Sequence, residues 1–182
     1  MKRLFLSACM SLAAAVALVP SLGHSAVGAE RDGAFFRSVA GSWSGPGEIV
    51  AGKYKGTRFV CTFTGEPKSG ALGLSLDGDC RVGVFTQKMT ASLQHDGSSY
   101  RGKFMDGAAG KGLDITAGNV VGDKVVLSVN RAQLNGVMQA RVPDANTMKV
   151  TVSVRVENKL VPVIGVSLKR VDGMTVSSTD PN

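Results

Sequence analysis

Met148-Lys149-Val150-Thr151-Val152-Ser153-Val154-Arg155-Val156 places an apolar side chain at every second position. Successive side chains of a strand point to opposite faces. The methionine and the four valines therefore share one face, and Lys149, Thr151, Ser153 and Arg155 share the other. This alternation marks an antiparallel strand with one side in a core and the other in water.

The same period of two recurs on both sides of this stretch. Towards the N-terminus, Phe59, Cys61 and Phe63 alternate with Arg58, Thr62 and Thr64, and Leu72, Leu74 and Leu76 with Gly73 and Ser75. Met89, Ala91 and Leu93 follow, then Tyr100 and Phe104 between Arg101 and Lys103. Val125, Leu127 and Val129 come next, then Met138, Ala140 and Val142. Ile164, Val166 and Leu168 close the series. Turn signals stand at Glu66-Pro67-Lys68-Ser69, Asp77-Gly78-Asp79, Asp96-Gly97, Gly122-Asp123 and Pro143-Asp144-Ala145-Asn146. No connection is long enough for a parallel crossover. The pattern predicts an all-β fold of about 8–10 strands, an antiparallel up-and-down β-barrel or a strongly curled sandwich. One short helix over Glu30–Ala40 is expected, from the spacing of Phe35, Phe36 and Val39.

Composition agrees with this reading. The chain has 182 residues, 43% hydrophobic and 19% charged, which excludes a disordered polymer. Glycine is abundant and aromatics are scarce, as suits short strands and turns better than a helical bundle.

The N-terminus predicts export. Met1-Lys2-Arg3 is basic, Leu4 to Val19 is nearly all apolar, and small residues follow, the order of a secretory signal peptide over residues 1–29. Cleavage is expected after Ala29 or Ala26. Leu6-Ser7-Ala8-Cys9 resembles a lipobox, but Arg3 is too close to Cys9 and the apolar run continues beyond it. The domain is then expected over residues 30–172, with a polar tail at 173–182. The predicted location is periplasmic or secreted, with no transmembrane segment in the mature chain. Cys61 and Cys80 remain and are expected to form a structural disulfide.

Without Lys2 and Arg3 the balance is 19 basic to 14 acidic residues. These charges are spread along the chain. A basic stripe with interleaved aromatics, as nucleic-acid binding needs, is missing. A lipid-spanning barrel would carry an apolar outer band and aromatic girdles. Here Thr62, Arg101, Lys103, Lys149 and Arg155 occupy the outward positions.

Phe36-Arg37-Ser38-Val39-Ala40-Gly41-Ser42-Trp43 resembles the opening of calycins, the lipocalin and fatty-acid-binding barrels, where a short helix precedes G-x-W. The resemblance implies a barrel whose single tryptophan, Trp43, packs at the closed end under a basic residue from the last strand. Arg170 matches that residue by position. Gly41, Trp43 and Arg170 are then structural. The periplasmic metalloprotease inhibitor is similar in its signal peptide, G-x-W start and single disulfide. The mature chain also resembles small exported bacterial proteins with G-S-W-S-G near the start, two cysteines and a terminal V-S-L-K-R.

The residues that carry most chemistry are few. His95 lies in Gln94-His95-Asp96-Gly97, where a hairpin tip explains it. Asp77 and Asp79 lack the spacing of a dedicated calcium loop and suit a turn. Gly107–Gly112 lacks the lysine-hydroxyl ending of a phosphate loop. Ser42 and Ser44 sit in no nucleophile elbow. The expectation is a protein that is not an enzyme and uses neither metal nor cofactor. Its partner is a small apolar ligand or an envelope protein. Met89, Leu93, Tyr100, Phe104, Leu127 and Val129 are the candidate ligand-lining residues, and the barrel's width decides whether they enclose a cavity or fill it. A second expectation is a protein-binding module, such as an inhibitor of an exported protease acting through Glu30–Phe36.

Overall fold

The computed structural model describes residues 23–107 and 112–172. Helix α1 (Gly23–Val39) leads into ten strands: β1 (Gly41–Ile49), β2 (Arg58–Pro67), β3 (Gly73–Val82), β4 (Phe85–Asp96), β5 (Ser99–Met105), β6 (Leu113–Val121), β7 (Lys124–Arg131), β8 (Leu134–Asp144), β9 (Thr147–Val156) and β10 (Lys159–Arg170). Each strand pairs antiparallel with the next, and β1 pairs with β10, so the sheet closes. The fold is an all-β, ten-stranded up-and-down barrel with an N-terminal helix. Closure removes the two open edges that a curled sandwich would leave.

Odd-numbered strands run away from α1 and even-numbered strands run back. Four connections therefore lie at the helix end and five at the opposite end, the mouth. Trp43, Phe63, Met148 and Leu168 are buried at the helix end together with Phe35, Phe36 and Val39 of α1. Ten strands enclose a wider interior than the roughly eight that side chains fill. Glycines let the wall collapse inward locally. A Cβ on Gly47 would stand 2.2 Å from the Phe59 ring, and one on Gly78 would stand 2.1 Å from the Thr62 carbonyl oxygen and 2.6 Å from the Phe63 ring.

Gly78 corrects one expectation. Asp77-Gly78-Asp79 is not a turn; it lies inside β3, paired with Thr64-Phe63-Thr62 on one side and with Thr90-Met89-Lys88 on the other. The alternation of Leu74 and Leu76 continues through Gly78 to Cys80, the glycine giving its side-chain space to Phe63. Cys80 consequently sits near the end of β3, directly opposite Cys61 in the β2–β3 ladder, and the two form a disulfide inside the barrel. Such a bond belongs to an oxidising compartment.

The helix is longer than the short element expected over Glu30–Ala40. It begins at Gly23, ahead of the expected cleavage positions. Only Phe35, Phe36 and Val39 of its described side chains are buried, so the sequence shows an apolar signal in its last turns alone. Most of the expected leader, including Cys9, and the tail from residue 173 lie outside the described residues, as do residues 108–111 of the glycine-rich stretch.

Strand β6 was not evident from alternation because a bulge between Ile115 and Ala117 shifts its register. Leu113 and Ile115 before the bulge, and Gly118 and Val120 after it, are the buried positions. A two-residue period cannot survive that shift.

Candidate binding site

The closed end is built first by Trp43. Its side chain is fully buried, and its indole Nε1 donates to the Val39 carbonyl at 2.9 Å. The Arg170 guanidinium lies over the ring, 4.2 Å from its centroid, in cation–π geometry. The same guanidinium donates to three carbonyls: Ala40 at 2.6 Å, Ser38 at 2.7 Å and Ala145 at 2.8 Å. Arg170 thus ties the end of α1 to the β8–β9 turn. Asp172 completes the lock, accepting from the Ser42 amide at 2.5 Å and from Arg170 at 2.9 Å. The Ser42 amide, aided by Arg170, holds the Asp172 carboxyl below the ordinary aspartate value. Gly41 has φ +104°, and a Cβ there would stand 2.0 Å from an Asp172 oxygen, so only glycine fits.

Tyr100 pins the middle of the helix. Its hydroxyl donates to Asp32 Oδ2 at 2.8 Å, and its ring meets Phe36 edge-on at 5.0 Å. His95 also packs edge-on with that ring at 5.0 Å, half-buried near the end of β4 instead of standing free at a hairpin tip. Burial, and then the Asp32 carboxylate, push the Tyr100 hydroxyl above its ordinary value. Tyr100 therefore keeps its proton in the folded state where the unfolded chain loses it, near pH 10. The raised group contributes stability below that pH, and the contribution declines as pH rises past it. Melting temperatures recorded from neutral pH to about pH 11 will fall less steeply for Tyr100→Phe than for the parent; parallel curves would refute this.

The interior is uneven. On the β6–β7 wall, Leu113, Ile115, Leu127 and Val129 are buried. On the β9–β10 wall, Val150, Val152, Val154, Ile164 and Val166 are inward by parity yet only half-buried. An inward side chain in a closed barrel stays accessible when there is space beside it. Burial is therefore less complete on the β9–β10 wall than on the β6–β7 wall. Met89 and Phe104 are half-buried and pack against the core. Leu93, Tyr100, Leu127 and Val129 are buried, and the structure puts them in the packed core. The valines of β9 and Ile164 were not among the candidate lining residues; for the valines, the unbroken parity from Met148 is the signal that turns them inward.

Two shallow depressions on the outer wall, the larger 640 Å³ in volume, have mixed walls: Thr64, Ser75, Thr90 and Lys103 beside Leu76 and Met105 in one, Glu48, Arg58 and Lys149 beside Val150 and Val166 in the other. Both are open to solvent, unlike the enclosed cleft of a small-molecule site. Ser44 and Thr62 on that wall hydrogen-bond locally, the Ser44 hydroxyl donating to the Cys61 carbonyl at 3.2 Å. At the mouth, Arg131 of β7 pairs with Asp106 and donates to the Gly112 carbonyl at 2.7 Å, holding both ends of the β5–β6 connection. Among the described residues, no three of His, Cys, Asp and Glu converge as metal ligands would, and no helix is long and apolar enough to cross a membrane. Thr62, Arg101, Lys103, Lys149 and Arg155 are all exposed, which gives the outer wall a charged and polar character.

No family model matches this chain, and no curated protein matches its sequence.

Proposed function

We propose that this protein is a non-catalytic binding barrel of the periplasm or extracellular space. Its interior takes a small apolar or lipid-like ligand, which enters by the mouth. The observation that carries this reading is the contrast between the two ends. The helix end is sealed by Trp43, Arg170 and the buried face of α1, while Val152, Val154 and Ile164, inward by parity and nearer the mouth, are only half-buried. A water-accessible apolar recess gains free energy by covering its walls, about 25 cal/mol per Å² of apolar surface removed from water. The protease-inhibitor reading has less support, because Glu30–Phe36 is helical and Phe35 and Phe36 are buried against the barrel.

The test uses N-phenyl-1-naphthylamine, whose fluorescence rises in apolar surroundings, and native mass spectrometry of the protein isolated from its own cells. Saturable probe uptake is expected, together with an extractable apolar molecule. Val152→Gln weakens uptake at least about tenfold, since it puts an amide against the ligand, and leaves the circular dichroism of the barrel unchanged. A clean apo mass with no probe uptake would sink the proposal.

A further inference from the structure

Among the described residues, nearly all of the large apolar side chains that stand exposed are gathered at the mouth; Val27 and Val121 are the two that lie elsewhere. The β3–β4 turn is the extreme case. Its tip, Gly83-Val84, is followed by Phe85, and Val84 and Phe85 are 90% and 79% exposed. Two-residue hairpin tips favour Gly, Asn and Asp, which tolerate the turn's backbone and the surrounding water. The other tight turns obey this preference with a polar residue: Gly97-Ser98, Gly122-Asp123, Ala132-Gln133, Ala145-Asn146 and Glu157-Asn158. Nothing in the packing of the barrel calls for a valine and a phenylalanine at the one remaining tip. Tyr54 in the β1–β2 loop, 63% exposed, and Val156 and Leu160 beside the β9–β10 turn extend the apolar surface around the rim.

The charges around this rim have one predominant sign. Lys53, Lys55, Arg81, Arg155 and Lys159 have no carboxylate within ion-pair distance among the described residues. Of the mouth carboxylates, Glu48 is engaged with Arg58 and Asp106 with Arg131, and Glu157 of the β9–β10 turn stands exposed in the sequence between Arg155 and Lys159. At the helix end Arg101 pairs with Asp96, Arg141 with Asp123 and Arg170 with Asp172, while Arg37, Lys68, Lys124, Lys149 and Lys169 have no carboxylate within ion-pair distance among the described residues. What sets the mouth apart is that its cations are interspersed with protruding apolar side chains.

We propose that the mouth docks onto an anionic lipid bilayer, with Val84, Phe85 and Tyr54 inserted at the level of the headgroups and Lys53, Lys55, Arg81 and Lys159 against lipid phosphates. Both halves of the surface fit this occupant. Shallow apolar insertion and attraction of cations to anionic headgroups add together, and neither suffices alone for stable attachment. The outer wall, charged below the rim, stays in water, so the barrel stands on the bilayer by its end and does not span it. Docking does not require the interior to hold a ligand, so it stands or falls independently of the reading above.

The experiment is co-sedimentation with vesicles of phosphatidylcholine, with and without phosphatidylglycerol as the anionic lipid. It uses the full chain as processed by its own cells. The double variant Val84→Asp/Phe85→Ser is compared with the parent, so any contribution of the shared N-terminus cancels. The parent binds anionic vesicles far better than neutral ones and is released by salt. The double variant binds them at least about tenfold more weakly, from the loss of two inserted apolar side chains, and Lys53→Gln/Lys55→Gln binds several-fold more weakly. In Val84→Trp the new indole emission shifts to the blue on binding, over the unchanged background of buried Trp43. The exposed positions chosen leave the melting temperature in place. Equal binding by parent and double variant overturns the proposal, as does equal binding to neutral and anionic vesicles. A mouth-to-mouth dimer that persists with vesicles and is abolished by Val84→Asp would also overturn it, assigning the surface to a second copy.

Discussion

Replacing Trp43 by alanine will remove about 3–5 kcal/mol of stability, the usual cost of truncating a fully buried large aromatic. A domain of this size has about 5–15 kcal/mol in total, so the variant will be partly unfolded well below the parent's melting temperature. The cost has three parts on the structure: the cavity left at the closed end, the Val39 carbonyl deprived of its indole donor, and the face on which Arg170 lies. Trp43→Phe keeps a ring under the guanidinium and restores much of the loss. Urea titration followed by far-ultraviolet circular dichroism measures both variants without relying on tryptophan emission. A Trp43→Ala midpoint within the error of the parent would contradict the assignment of this residue as the floor of the barrel.

Opening the disulfide will cost about 3 kcal/mol, the loop-closure entropy for a cross-link spanning 19 residues. Cys61→Ala/Cys80→Ala is the suitable pair, because both positions face the core and alanine buries no unsatisfied hydroxyl there. The midpoint of guanidinium unfolding falls in the double variant and, by the same amount, in the parent unfolded in the presence of reductant. Identical midpoints with and without reductant would show that the β2–β3 ladder holds its register unaided.

How far the sequence discloses this molecule depends on how regular each strand is. Strand β9 has no bulge before Val156, and its alternation reveals face and class without help. Strand β6 is equally apolar, yet its bulge scatters the signal. At Gly78 a strand resembles a turn, because Asp-Gly-Asp is turn chemistry by composition while the ring that fills the glycine's space comes from a neighbouring strand, at Phe63. Local sequence carries no trace of that ring. The closed end was legible through G-x-W and the position of Arg170, whereas the Asp32–Tyr100 clamp joins residues 68 apart with no motif between them. The burial of the candidate lining residues differs for a similar reason. Parity shows which side chains point inward, but burial depends on how far the opposite wall stands, and that distance is a property of the closed ring. The mouth was missed because single exposed apolar residues are unremarkable along a chain and become a surface only when five connections are brought to one end.

The seam between β1 and β10 has a consequence for how the protein comes into being. Ala40 and Arg170, joined there by a hydrogen bond, are 130 residues apart. Neighbouring strands can zip as local hairpins, the disulfide-bearing β2–β3 pair among them, while the ring itself waits for the last strand to be delivered. Until then a growing or translocating chain is a curled sheet with an unpaired rim at β1, open to pairing with other chains. Closure across so long a separation is entropically slow. The longer that open sheet lives, the more newly made protein is exposed to aggregation. Shortening the chain before Lys159 would make the open sheet permanent.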